Sequence, residues 1–145
     1  MKYIHYGDNK FDINKFNKVL NIPESIKPFG GFWGSRENAD FGWKEWCTDT
    51  NFKFKDLSKN LQFSLSNDAR ILIMDNANLL DDLPQNKENH ILNKLYVTLD
   101  FEELSKQYDA IEILISEDER LYELLYGWDC DSILVMNPDV IIAEK

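Results

Sequence analysis

The chain has 145 residues and a formal net charge of −10, with 26 Asp and Glu against 16 Lys and Arg. Apolar residues make up 43% of it and aromatic residues 13%, which excludes a disordered chain. The length suits one domain with its own core, so we expect a single domain over residues 1–145. So few cations cannot form a continuous basic track, which argues against direct binding of nucleic acid.

The N-terminus and the cysteines indicate a cytoplasmic protein. His5, Asp8 and Lys10 interrupt the region where a secretory signal would be apolar, and no apolar run approaches the ~20 residues that span a bilayer. Cys47 and Cys130 have no second Cys or His nearby at ligand spacing, so neither a metal site nor a disulfide framework is indicated. We expect buried free thiols and no membrane contact, and nothing local in the sequence supports a catalytic pair of either cysteine with His5 or His90.

The first half of the chain predicts two strands and a helix. A strand over 2–6 stops at the Gly7-Asp8 turn, and residues 10–20 fit either a strand fragment or a short helix. An aromatic and glycine-rich strand follows at 29–35. Ser35 is then a predicted N-cap, with Trp43 and Trp46 on one face of the helix.

The second half predicts more strands with helices between them. Strands are expected at 52–54, 61–65, 69–74, 109–115, 132–136 and 140–143, and a loop at 76–89. Asp100 predicts one helix start, and the capping box of Ser116 and Glu119 predicts a helix over 118–126 that ends at Gly127. This pattern is typical of an α+β fold.

Three separated segments carry residues suited to ligand chemistry. His5-Tyr6-Gly7 ends the first strand, where a glycine lets a ligand approach the backbone. Gly30-Gly31-Phe32-Trp33-Gly34-Ser35 combines aromatic rings with little side-chain bulk. Asp129-Cys130-Asp131 precedes a late strand, where two carboxylates on an extended chain would point the same way. Each segment also has an ordinary interpretation, as an edge histidine, packed aromatics and turn acids respectively.

The order of these segments resembles that of the ADP-ribosyltransferase superfamily. A strand with His-x-Gly comes first, an aromatic and glycine strand ending in Ser leads into a helix, and an acid opens a late strand. The resemblance runs as ordered landmarks from Tyr3 to Ile142. It implies a split β-sandwich of two small sheets, with flanking helices around a cleft that binds NAD as substrate.

The resemblance also implies roles for individual residues. His5 would bind the adenine-side ribose, and the backbone of Gly7 would hold the nicotinamide amide, with Tyr6 beside them. Phe32, Trp33 and Ser35 would line the nicotinamide end of the cleft. Asp131 matches the catalytic acid, although the family usually has Glu there, and Glu112 is the competing acid.

These roles imply an ADP-ribosyltransferase that modifies a macromolecule, as a toxin or phage-type effector would. The acid would stabilise positive charge on the ribose as nicotinamide leaves, with His5 and Asp131 as catalytic residues. The net charge makes a basic protein the expected target. The alternative is a non-enzymatic acidic binding module or inhibitor that docks on a basic protein partner.

Overall fold

One mixed sheet organises the part of the chain that the computed structural model describes, residues 1–53, 57–88 and 91–144. In these ranges seven strands form a sheet in the order β4-β5-β6-β2-β1-β3-β7. The strands are β1 (Tyr3–Tyr6), β2 (Phe32–Arg36), β3 (Asn60–Leu65), β4 (Ile71–Met74), β5 (Ala110–Ile113), β6 (Ser132–Val135) and β7 (Ile141–Ala143).

Three α-helices lie between the strands in the described ranges: α1 (Trp43–Asp49), α2 (Phe101–Gln107) and α3 (Glu119–Leu124). The predicted cap of α2 is confirmed, since the Asp100 side chain accepts a hydrogen bond from the Glu103 N–H. The predicted cap of α3 is wrong: Asp118 caps it, because the backbone enters a 3-10 helix at Ile115–Glu117 first.

The predicted helix start at Ser35 and the predicted strand at 52–54 differ from the structure, whereas the segment at 10–20 takes one of its two expected forms. Ser35 lies inside β2 and is not the residue that precedes α1; Gly42 is. The ambiguous segment at 10–20 contains a 3-10 helix at Ile13–Lys15. Of the strand predicted at 52–54, Phe52 lies outside any strand and Phe54 lies outside the described residues.

The α+β class is confirmed. The pairings are antiparallel except for β4 with β5, which are parallel and are connected through α2. A division into two small sheets is not confirmed, because β2 is hydrogen-bonded to β6 on one side and to β1 on the other.

The two ladders of β2 use different parts of the strand. Phe32, Trp33 and Gly34 pair with β6, whereas Arg36 and Ser35 pair with Tyr3 and Ile4 of β1. All four residues of β1 pair with β3, but its ladder with β2 comprises only those two pairs. His5 and Tyr6, the last two residues of β1, therefore lie beside Trp33 and Gly34 of β2 without pairing with them, and a notch is left between the two strands.

Apolar side chains cover both faces of the sheet. The larger cluster contains Trp128 and Leu134 with apolar residues of α2 and α3 such as Phe101 and Leu121, and the smaller one contains Phe63, Tyr3 and Ile133. Period-2 alternation along β6 places Ile133 in one cluster and Leu134 in the other.

An ion pair between a partly exposed arginine and a buried carboxylate connects β2 to β5 across β6. Arg36 donates two hydrogen bonds to the Glu112 carboxylate, at 2.9 and 2.8 Å, and Glu112 is only 1% exposed. The apolar sequence around Glu112 did not indicate which cation pairs with its carboxylate, and in the structure that cation is Arg36. The hydrogen bond to Glu112 is the main cause of a raised pKa at Arg36.

Removing Arg36 alone should destabilise the fold strongly. Arg36→Met leaves the Glu112 carboxylate buried without its cation, and we expect a loss of about 3–5 kcal/mol in the free energy of unfolding, measured with urea. The double variant Arg36→Met with Glu112→Leu should lose less, since no charge is left buried. A single variant as stable as the wild type would contradict a role for the pair.

A second carboxylate makes stability depend on acid pH. Asp109 accepts hydrogen bonds from Arg70 and from Asn137. The side-chain hydrogen bond from Arg70 is the main reason why the pKa of Asp109 is lowered to about 2. The resulting stabilisation is present above the unfolded pKa of about 4 and is lost as pH falls toward 2. Asp109→Asn should therefore flatten the decline in the free energy of unfolding between about pH 4 and 2 by ~1–2 kcal/mol. As a control, Asp139→Asn changes an exposed carboxylate and should leave the pH dependence of the free energy of unfolding unchanged.

Candidate functional site

An open cavity of about 430 Å³ occupies the notch between β1 and β2. Its walls come from five separate parts of the chain, 4–6, 27–28, 33–35, 43 and 129–132, and they include His5, Tyr6, Trp33, Ser35, Trp43 and Asp129. The volume is in the range of small-molecule sites, and the lining combines aromatic rings with a few polar groups, as such sites do. Three sequence segments singled out for chemistry therefore meet here.

His5 is oriented by the backbone of the neighbouring strand. Its Nδ1 lies 2.6 Å from the carbonyl oxygen of Trp33, and because a carbonyl only accepts, Nδ1 carries the proton. The ring stacks on Phe32 at 4.3 Å between centroids, which fixes its plane. In the neutral imidazole Nε2 is then an acceptor, and it lies 4.0 Å from an Asp8 carboxylate oxygen.

Trp33 forms a rigid wall of the cavity. Its indole N–H donates to the Gly30 carbonyl at 3.2 Å, and its ring contacts Trp128 at 4.9 Å between centroids. The Lys27 ammonium lies 5.4 Å from the ring centroid, a cation–π contact. Lys27 also lines the cavity, so this wall carries a positive charge beside the aromatic face.

Ser35 ties three elements together beneath the cavity. Its hydroxyl donates to the Asp131 carbonyl at 3.0 Å and accepts from the Trp43 N–H at 3.1 Å. The side chain thus serves as a distant cap for α1, which has no side-chain cap at Gly42. The predicted N-cap at Ser35 is therefore wrong in position, and its hydroxyl instead accepts from the first residue of a helix that begins eight residues later.

The two aspartates that precede β6 point to different places. Asp129 lines the cavity, whereas both carboxylate oxygens of Asp131 accept hydrogen bonds from Ser116, at 2.9 Å from its N–H and 2.5 Å from its hydroxyl. The expectation that both carboxylates point the same way required an extended chain. A bend at Cys130 breaks the alternation, so Asp131 does not line the cavity.

A second cavity of about 630 Å³ adjoins the first and shares His5 with it. Phe32, predicted to line the nicotinamide end, lines this second cavity together with Phe11 and Lys10. Gly7 lines neither; it has φ +113° and its N–H donates to the Lys59 carbonyl at 2.8 Å. Its amide is thus used in the continuation of the β1–β3 pairing.

The competing acid and the thiols have structural surroundings. Glu112 is bound to Arg36 as described above and does not line the cavity. Cys130 lines the cavity, but burial raises the pKa of its thiol to about 11. Cys47 is also a buried free thiol, and His90 lies outside the described residues.

Lys27 and Trp43 line the cavity although the sequence did not indicate a site role for either. Trp43 was interpreted as a packing residue of a helix face, and it lies at the first position of α1 where Ser35 holds its backbone. Lys27 precedes Pro28 in an irregular segment, and no pattern in the sequence distinguishes it from a surface lysine.

Burial raises the pKa of the Tyr6 hydroxyl, and the nearby Glu45 adds to the shift.

Comparisons with known proteins do not assign the chain to a family. No protein-family model matches the chain, and neither a curated protein nor a solved structure is significantly similar to it. Among the described residues, no group of three or more His, Cys, Asp or Glu is arranged to hold a metal ion. No helix in the described ranges is both long and apolar enough to cross a bilayer.

The link through Ser35 can be tested by stability. Ser35 is 3% exposed, and Ser35→Ala removes the acceptor of the Trp43 N–H and the donor to Asp131. We expect the free energy of unfolding to fall by about 1–3 kcal/mol in urea denaturation. Ser105→Ala, which removes a bond within one turn of α2, should cost less. Equal effects would contradict the linking role of Ser35.

Proposed function

We propose that the protein is an ADP-ribosyltransferase that binds NAD as its substrate in the cavity between β1 and β2. The observation that carries the proposal is the meeting of His5, Trp33 and Asp129, from three distant segments, around one cavity. The order of these segments already resembled that superfamily. Their convergence in space is a separate observation and supports the same function.

We also propose that the sheet functions as a split β-sandwich of two small sheets. The β1–β2 ladder of two residue pairs supports this, because the neighbouring residues His5 and Tyr6 instead face the cavity. A planar ring can then enter between the strands. The amide of a nicotinamide would find backbone groups at the edges of both strands.

The charges of the cavity suit a dinucleotide. NAD carries a positive nicotinamide ring and a negative diphosphate, and the cavity has the Asp129 carboxylate and the Lys27 ammonium in its lining. His5 Nε2 would accept a hydrogen bond from a ribose hydroxyl. The second cavity, which shares His5 and has Phe32 in its wall, would hold the remaining part of a bent dinucleotide.

Asp129 replaces Asp131 as the proposed catalytic acid, since it is the aspartate of the pair that lines the cavity. The bond between the nicotinamide nitrogen and ribose C1′ breaks, and nicotinamide leaves with the electron pair. The acceptor nucleophile then bonds to C1′ and releases a proton to solvent. A carboxylate beside C1′ stabilises the positive charge that develops on the ribose.

The acceptor is proposed to be a basic protein, as expected for a domain with a net charge of −10. Water exclusion by the aromatic walls, Tyr6, Trp33 and Trp43, would favour transfer over hydrolysis. A single small domain that modifies a macromolecule in this way would act as a toxin or phage-type effector does.

NAD titration by calorimetry tests the binding site. Wild-type protein should bind NAD, and His5→Asn should weaken binding about tenfold or more, because Asn keeps a donor for the Trp33 carbonyl but removes Nε2. Asn67→Ala, at an exposed residue that lines neither cavity, is the control and should bind within about threefold. Failure of the wild type to bind NAD would refute the proposal.

Transfer of label from NAD to protein in a cell extract tests the acid. We expect Asp129→Asn to lower the rate by about 10²-fold or more with NAD affinity little changed, since the carboxylate acts on the transition state. Asp131→Asn should lose activity only to the extent that it loses stability, because the Asp131 carboxylate binds Ser116 and does not line the cavity. Loss of activity in Asp131→Asn with Asp129→Asn unaffected would restore the sequence-based assignment.

A further inference from the structure

Three aromatic side chains form a continuous surface that begins in the cavity and continues along α1. Trp43 lines the cavity and stacks on Trp46, with 5.2 Å between centroids and 20° between planes. Phe52 contacts both indoles, at 5.7 and 5.2 Å, and is 49% exposed. We refer to Trp43, Trp46 and Phe52 as the α1 aromatic surface.

Carboxylates border this surface. Residues three apart on a helix are neighbours on one face, so Asp49 follows Trp46 at the end of α1, and it is exposed. Glu45 lies on the same helix and close enough to Tyr6 to influence its pKa. Lys44 and Lys53 are exposed nearby, so the charge is mixed, but residues 37–53 contain four acids against two lysines.

Aromatic faces next to carboxylates bind guanidinium groups well. The ring face attracts a cation, the flat guanidinium stacks on indole, and its N–H groups form paired hydrogen bonds with a carboxylate. Phosphate groups would meet Glu45 and Asp49 and the −10 net charge, so stacking of nucleic acid bases is disfavoured at the same rings.

We propose that the α1 aromatic surface docks an arginine-bearing segment of a protein partner. Its continuity with the cavity through Trp43 places such a segment beside the site where NAD is proposed to bind. The assignment of the segment as the acceptor of ADP-ribose rests on the proposed function, but docking itself does not require NAD.

Peptide binding measured without NAD tests the docking. The probes are a fluorescent peptide of arginines spaced by Gly and Ser, the same peptide with citrulline in place of arginine, and a single-stranded oligothymidylate, followed by anisotropy. Trp46→Leu should weaken the arginine peptide about fivefold or more, and Asp49→Asn should weaken it in the same direction. Tyr122→Leu and Glu119→Gln alter an exposed aromatic and an exposed acid of α3 and should leave binding unchanged.

Several results would overturn the inference. They are equal binding of the citrulline peptide, equal losses in the α1 and α3 variants, tighter binding of the oligonucleotide, or no binding at all. Asp49 is exposed, so its variant keeps the test valid if Trp46→Leu does not fold. NAD calorimetry on Trp46→Leu separates the two proposals: unchanged NAD binding with weakened peptide binding supports both. Absent NAD binding in the wild type, with peptide binding still dependent on Trp46, refutes only the enzyme.

Discussion

The architecture depends on how β2 divides its hydrogen bonds between two neighbours. Its first three residues pair with β6 and its last two pair with β1, so the sheet is continuous but β1 and β2 share only two residue pairs. His5 compensates at the point where the ladder ends, since its Nδ1 donates to the Trp33 carbonyl. A side chain thus replaces a backbone partner, and the space beside it becomes a cavity whose walls are held by the sheet.

The surroundings of the cavity are fixed by two sets of side-chain hydrogen bonds. The Arg36–Glu112 pair holds β2 to β5, and Ser35 holds the start of α1 and the segment before β6. The buried polar side chains of Ser35, Glu112 and Asp131 are all hydrogen-bonded to other residues of the same chain, so they stabilise the walls. Asp129, Lys27 and His5 line the cavity, and a fixed surrounding of this kind is what preorganised binding sites require.

Sequence patterns predicted the elements better than the details of the site. Alternation and turn residues located β1, β6 and β7, and Asp100 located α2, because these signals are local. The same rule wrongly predicted that the Asp129 and Asp131 side chains point the same way, since alternation fails where the backbone bends at Cys130. Lys27 and Trp43 were missed because their place in the cavity comes from contacts between distant segments, and the partner of Glu112 was missed for the same reason.

Amide hydrogen exchange with and without NAD tests the central claim most directly, because it locates binding along the chain without a substitution. The account predicts that NAD slows exchange in residues 4–7 and 32–36, which border the notch. Residues 86–88 and 100–103, which border a separate acidic cavity, should be unaffected. No change anywhere, or slowing confined to those acidic segments, would contradict the claim that the notch between β1 and β2 is an NAD site.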